Sequence, residues 1–282
     1  PSWGDLGQRG LLMSAQSYQY IYGPVHSWRL GVSLGVDPLS TQEKCCNFNC
    51  RYCQLGPTLY FCSPRDIFVP TDKVVDEIRS LPASLHLDVI TFSGRGEPTL
   101  ARNLGEMIRA VKDIRPEPVA VITNTVLIGR MDVQDDLLAA DFILAKLDAF
   151  DQASLEEMNA PGKGVTFDAI LTGLKAFRKR YKKKLALQVM LTTDNKSWAA
   201  QIADAVRDIG ADEIELNTPL RPNPCRPLSP EELAAIKPLF SGCSPSVKTV
   251  YELQQRPVPP LNREETVRRH GLYNADPHGQ PE

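Results

Sequence analysis

Short apolar runs rich in strand formers alternate along this chain with amphipathic helical patterns, and that alternation limits the fold more than any other feature. Strand-like runs lie at 30–36, 87–92, 119–122, 142–147, 185–192 and 213–217. Between them, apolar residues recur at helical spacing. Val74, Val75, Ile78 and Leu81 share one face, as do Leu104, Met107, Ile108 and Val111. Further helices are expected at 133–140, at 167–177 and at 197–209, the last stopped by Gly210. Ser229-Pro230-Glu231-Glu232 has the spacing of a capping box with proline at the first helical position, and one more strand is expected at 247–253. No short-period repeat is present. Six β-then-α units fit parallel strands covered by helices. They are too few for a complete eight-stranded barrel, so an open doubly wound sheet and a partial barrel both remain. In either, ligands bind at the C-terminal ends of the strands.

The 282 residues are 42% apolar, enough for a sizeable core, and the net charge of -2 gives no chain-wide attraction to nucleic acid. No apolar run reaches the roughly 18 residues of a membrane-spanning helix. The first 25 residues lack a basic start followed by an apolar stretch, so no secretory signal is expected, and Met13 is an alternative start. A reducing cytosol is the expected compartment. There, clustered cysteines point to metal or redox chemistry rather than disulfides.

Five of the seven cysteines, Cys45, Cys46, Cys50, Cys53 and Cys62, fall in one stretch, and Cys225 and Cys243 stand apart. Cys46, Cys50 and Cys53 have the spacing C-x3-C-x2-C. Three thiolates on one loop can hold three irons of a [4Fe–4S] cube, leaving the fourth iron for another ligand. Soft sulfur donors also suit zinc, with Cys45, Cys62 or His26 as a fourth ligand. Cys46 is taken as the ligand and Cys45 as a packed thiol; Cys225 and Cys243 are read as packed or free thiols.

The motif Cys46-x3-Cys50-x-Tyr52-Cys53, with an aromatic before the last cysteine, resembles the signature of radical S-adenosylmethionine (SAM) enzymes. Phe92-Ser93-Gly94-Arg95-Gly96-Glu97-Pro98 follows the second strand and resembles that family's Gly-Gly-Glu-Pro loop, departing from it by an arginine between the glycines. Thr123-Asn124 ends the third strand, and Lys146-Leu147-Asp148 ends the fourth. The likeness runs over 22–223, and the segments 22–35 and 53–56 are similar to short proteins grouped with the tRNA wyosine-synthase branch.

The resemblance implies an α/β fold, a partial (β/α)6 barrel, preceded by an N-terminal extension (1–21) and followed by a helical, proline-rich extension (224–282). It implies one [4Fe–4S] cluster on Cys46, Cys50 and Cys53, with SAM held by Ser93, Gly94, Gly96, Glu97, Thr123, Asn124, Lys146 and Asp148. It also implies an electron donor such as flavodoxin or ferredoxin. The expected activity is reductive cleavage of SAM to a 5′-deoxyadenosyl radical, which abstracts hydrogen from a substrate. Wyosine-type tRNA modification and glycyl-radical activation are the alternatives. A non-catalytic zinc or iron–sulfur interaction protein is the competing class. Against the wyosine enzymes stand the absence of any cysteine before Cys45, the net charge, and Lys44 as the one lysine close to the motif.

The physical sense of the loop residues is plain. Gly94 and Gly96 let backbone approach closely, and Glu97 is an acceptor for an ammonium group. Lys146 and Asp148 share one strand face. Gln188, Met190, Asn217, Arg221, His26 and Arg29 are candidates for the cavity wall. The basic run 178–184 reads as a solvated helix end or as a phosphate contact.

Overall fold

The computed structural model describes residues 18–62, 64–252 and 258–270. Its centre is one eight-stranded sheet in sequential order: β1 (Ile21–Ser27), β2 (Gly31–Val36), β3 (Val89–Phe92), β4 (Val119–Thr123), β5 (Phe142–Lys146), β6 (Lys184–Met190), β7 (Glu213–Asn217) and β8 (Val247–Thr249). β1 and β2 form an antiparallel hairpin, and every later pairing is parallel.

Helices return the chain between the parallel strands. These are α1 (Thr71–Arg79), α2 (Leu104–Ile114), α3 (Met131–Leu137), α4 (Gln152–Asn159), α5 (Phe167–Arg180), α6 (Ala199–Arg207) and α7 (Pro230–Ile236). α8 (Arg263–His270) comes last among the described residues and lies against β1. The six β-then-α units expected from sequence are thus present, in the partial barrel rather than the open alternative.

The two faces of the sheet are separated by strand alternation. Leu185, Leu187, Val189, Ile214 and Leu216 point outward and share a core with Leu104, Met107, Ile108, Leu174 and Phe177 of the helices. Val89, Ala120, Phe142, Leu144 and Ala186 point inward and form a second, smaller core, with Leu30 and Ile122 against it. Above that plug the inward positions become polar: Lys146, Gln188 and Glu215 lie side by side in register on β5, β6 and β7.

The sheet is curled. Arg29, in the turn between β1 and β2, forms an ion pair with Glu215 on β7 at 3.4 Å. In a flat sheet, β2 and β7 would stand five strand spacings apart, roughly 24 Å. Closing that distance turns the inward face into the wall of a half-barrel.

Local signals explain most elements. α7 begins with the expected capping box, Ser229 accepting from the Glu232 N–H and Glu232 accepting from the Ser229 N–H. α5 starts at Thr166, whose hydroxyl accepts from Ala169. Three elements, β1, α4 and α8, go beyond the sequence reading. β1 contains Gly23-Pro24, tolerated because this is an edge strand. His26 lies within that strand and Arg29 in the following turn. α4 is short, buries Leu155 and Met158 in its second half, and is started by an Asp151–Ser154 capping box. The predicted strand at 247–253 is three residues long, Val247–Thr249, and Leu253 is outside the described residues. The extension predicted at 1–21 falls largely there too, at 1–17.

Burial lifts the Glu215 carboxyl from its usual 4.5 to about 7, with Arg29 pulling the other way. A carboxyl raised on folding favours the folded state below its unfolded pKa and loses that contribution as pH rises through the folded one. Glu215→Gln removes the titration. The unfolding free energy of the variant relative to wild type is therefore expected to improve between pH 5 and pH 8, by up to about 3 kcal/mol. Denaturant titrations at both pH values check this; a difference that does not change with pH would show that Glu215 is not burdened by its burial.

Candidate active site

The loop leaving β2 carries the cysteines, and its path is fixed at once by Asp37. That carboxylate is 1% exposed. It accepts from the Leu39 and Ser40 amides at 3.2 and 3.0 Å and from the Arg95 amide at 3.2 Å. Cys45 then pairs with the loop after β3: its N–H donates to the Arg95 carbonyl and its carbonyl accepts from the Glu97 N–H, both at 3.1 Å. Both glycines of that loop are required by this contact. A Cβ on Gly96 would sit 1.8 Å from the Cys45 carbonyl oxygen. Gly94 has φ +135°, and a Cβ there would lie 2.3 Å from the Asp37 carboxyl carbon. The close approach expected toward a ligand is thus, at these positions, an approach to the cysteine loop.

Cys46, Cys50 and Cys53 carry free thiols. Each sulfur faces one side-chain N–H donor. Asn124 Nδ2 lies 3.5 Å from Cys46, Asn159 Nδ2 3.3 Å from Cys50, and Lys44 Nζ 3.2 Å from Cys53. Burial pushes the Cys46 thiol up to about 12 and raises that of Cys50 as well. Both are protonated while nothing soft binds them, and metal binding there must release protons.

The reading of Cys45 as a packed thiol is corrected: it is disulfide-bonded to Cys62, with Cα atoms 5.4 Å apart. The pairing follows from the fold, because the Cys62 N–H donates to the Cys46 carbonyl at 3.0 Å and brings residues 61 and 62 alongside 45 and 46. Cys45 and Cys62 are thereby removed as sulfur ligands. Cys225 is buried with Tyr52, Met158 and Met190, and Cys50 packs against that group. Cys243 is buried in the main core, its sulfur 3.4 Å from the Ala203 carbonyl. Among the described residues, no three His, Cys, Asp or Glu side chains gather round a single ion.

The other candidate residues divide into two groups. Glu97 is buried behind the loop. Its Oε1 accepts from the Thr99 N–H and hydroxyl and from the Thr123 hydroxyl at 3.1, 2.6 and 2.7 Å, and its Oε2 from the Asn124 N–H at 2.7 Å. Burial raises its pKa, and those donors oppose the rise. Glu97, Thr123 and the backbone of Asn124 therefore knit the loop after β3 to the end of β4. The Asn124 amide reaches the cysteine loop, donating to Asn47 Oδ1 at 2.6 Å.

Ser93, Gly94 and Lys146 instead line a cavity of about 270 Å³ together with Cys53, Tyr52 and Gln188. Ser93 Oγ is 2.6 Å from the Tyr22 hydroxyl. Lys146 Nζ is 3.7 Å from Asp148 and lies 4.5 Å over the Tyr52 ring. Asp148 is buried beneath: it accepts from the Tyr52 hydroxyl, from Asn159 Nδ2 at 3.1 Å and from the Met190 N–H at 2.7 Å. Asp148 thus braces Tyr52, and through Asn159 the Cys50 sulfur.

The far wall of the cavity holds residues of both expected and unexpected origin. Arg29, Met190, Asn217 and Arg221 were candidates; Tyr22, Trp28, Arg269 and His270 were not. Arg221 donates to Gln54 Oε1 at 2.7 Å and meets His270 Nε2 at 2.8 Å, while Arg269 pairs with Asp37 at 3.1 Å. The sequence signals for α8 were polar ones: Asn262 before the first turn, Glu264 and Glu265 in it, and Arg268, Arg269 and His270 in the last. His26 is absent from the cavity wall. Gln188 is 3% exposed and its Nε2 has no hydrogen-bond partner.

With this geometry in view, the comparisons with known proteins are decisive for the family. Residues 44–206 match the model of the Radical SAM superfamily. The chain belongs to that superfamily. A UPF0026 protein of Synechocystis is 38% identical over 214 residues, covering 74% of this chain and 78% of that protein. Another, from Methanocaldococcus jannaschii, is 34% identical over 230 residues, covering 78% and 70%. The Streptococcus suis SuiB structure bound to S-adenosylmethionine has the same fold at TM-score 0.57 and 14% identity, over 73% of this chain and 48% of that one. This protein is a radical SAM enzyme, and its family implies SAM and a [4Fe–4S] cluster. No helix among the described residues is long and apolar enough to cross a membrane.

The free thiols and the disulfide give an expected contrast. After anaerobic reconstitution, Cys50→Ala is expected to lose most bound iron, measured by iron and sulfide assay per chain. Cys62→Ser is expected to keep it. Full iron in the first variant and none in the second would reverse the ligand assignment.

Proposed function

We propose that this radical SAM enzyme cleaves SAM reductively and uses the resulting radical on a small substrate held in the half-barrel. The carrying observation is that a free-thiol C-x3-C-x2-C loop meets, at Cys53, a cavity at the C-terminal ends of the parallel strands whose largely apolar wall carries polar groups such as Ser93, Lys146 and Gln188. The donor set fits the cofactor. Three soft sulfurs each face an N–H donor, and hydrogen bonds of that kind accompany iron–sulfur ligation.

Cys46, Cys50 and Cys53 would take three irons and leave the fourth for the amino and carboxylate groups of SAM. When bound, the reduced cluster would supply the electron for reductive cleavage of SAM to methionine and a 5′-deoxyadenosyl radical, which would take a hydrogen atom from the substrate. The chain itself supplies geometry and exclusion of water. Ser93, Gly94 and Lys146 reach the cavity and are the groups best placed to touch SAM. Asp148 holds Lys146 and Tyr52 in position. Gly96, Glu97, Thr123 and Asn124 support the cysteine loop from behind. Residues 22–223 carry these parts and form the catalytic core in this reading. A one-electron donor of the flavodoxin or ferredoxin kind is the natural partner.

A small substrate is favoured over tRNA. The cavity is of small-molecule size. Four of the six cations in the basic run form ion pairs: Arg178 with Asp212 at 2.9 Å, Arg180 with Asp135, Lys183 with Asp141 at 3.5 Å and Lys184 with Glu213 at 3.3 Å. Lys44, the lysine nearest the motif, is turned to Cys53 and the Gly56 carbonyl. The ion pairs of the basic run reduce the net charge it presents to phosphates.

The reduced, reconstituted protein incubated with SAM is expected to release 5′-deoxyadenosine, detected by mass spectrometry. The Cys46/Cys50/Cys53 triple alanine variant is expected to release none. Wild-type protein with a full complement of iron that binds SAM but yields no 5′-deoxyadenosine, with any donor tried, would remove the proposal.

A further inference from the structure

Lys44 stands two residues before the first proposed ligand and is 8% exposed. Its Nζ reaches Cys53 Sγ at 3.2 Å and the Gly56 carbonyl at 2.9 Å. Among the described residues it forms no ion pair with a carboxylate. The Gly56 carbonyl supplies no opposite charge. A thiolate bound to iron would, because a three-cysteine [4Fe–4S] group carries net negative charge that grows when it is reduced. The other two sulfurs face only uncharged amides, from Asn124 and Asn159. The charged donor is confined to Cys53, the cysteine that lines the cavity.

We infer that Lys44 is a positioning residue that raises the reduction potential of the iron–sulfur group, through a charged N–H···S bond to Cys53. This rests on the reading that Cys46, Cys50 and Cys53 hold the cluster. The physical basis is differential: a fixed cation beside a ligand sulfur stabilises the reduced state, with its extra electron, more than the oxidised state. Neutral amides on Cys46 and Cys50 do the same more weakly. The chain thereby makes its cluster easier to reduce by a donor of given strength, without altering the ligands.

The test is a redox titration of the full chain, reconstituted anaerobically, as wild type, Lys44→Met and Lys44→Arg. Iron and sulfide are assayed first. The reduced cluster is then followed by electron paramagnetic resonance against ambient potential. Lys44→Met with wild-type iron content is expected to show a reduced-to-oxidised ratio at least tenfold lower at the wild-type midpoint, a shift of 59 mV or more for a one-electron couple. Lys44→Arg keeps the charge and is expected to stay within about threefold. A methionine variant that holds full iron and titrates with wild type overturns the inference.

Should Lys44→Met fail to load iron, wild-type protein labelled with 15N at lysine Nζ decides the matter. Pulsed resonance on its reduced cluster is expected to show a lysine nitrogen coupling that Lys44→Arg lacks; absence of that coupling overturns the inference. Wild-type protein that binds no iron and sulfide at all would overturn the cluster reading itself, and is distinguished by the first assay.

Discussion

The buried Asp37 carboxylate at the end of β2 is the point on which the functional end of this molecule depends. It takes amide donors from the start of the cysteine loop and from the loop after β3, and a guanidinium from α8. Three segments far apart in sequence are thereby set against one another. Asp37 and Arg269 are both nearly inaccessible to solvent, and Arg269 also pairs with Glu265, so it is removal of Arg269 that leaves a buried carboxylate without counter-charge, a cost of about 3–5 kcal/mol. That energy is local to the mouth of the half-barrel. Its effect is to fix where Cys45 meets Gly96, and so where the three free thiols stand.

From that anchor the candidate residues fall into a division of labour. Glu97, Thr123 and Asn124 use their hydrogen bonds on one another and on the cysteine loop. Asn124, Asn159 and Lys44 each approach one sulfur from a different part of the chain. A loop of this length without such ties would sample many arrangements. The donors hold the thiols near a single one before anything binds, which lowers the ordering cost that binding would otherwise carry.

Much of this was legible in the sequence. Leu104, Met107, Ile108 and Val111 gave α2 directly, because an amphipathic helix on a sheet must repeat apolar residues at its own period. The inward face was legible only as a pattern break: Lys146, Gln188 and Glu215 interrupt apolar strands, and such breaks mark a cavity. The cysteine spacing marked the loop of free thiols, since it reflects local geometry. What sequence did not show were long-range pairings. The Cys45–Cys62 bond depends on residue 62 folding back beside Cys46. β1 was hidden by Gly23-Pro24, which reads as a turn yet is tolerated at an edge. α4 was hidden by its few apolar residues. Arg269 meets Asp37 across 232 residues, and no local period records that.

The half-barrel poses a geometric problem that the βα repeat cannot solve. A sheet curled from β2 to β7 leaves an open side, and a cavity with an open side cannot exclude water from a radical. Part of that side is covered by elements outside the repeat. The β1–β2 turn places Arg29 against Glu215, and α8 places Arg269 and His270 against Asp37 and Arg221. The cavity therefore has two walls of different origin. One, with Cys53, Ser93, Gly94 and Lys146, belongs to the strand ends that every βα unit supplies. The other, with Trp28, Arg29, Arg221 and His270, is assembled from the hairpin turn, the loop after β7 and the last helix. Changes in the second wall can reshape the cavity without disturbing the strand register that holds the first. The two walls are thus carried by physically separable parts of one chain.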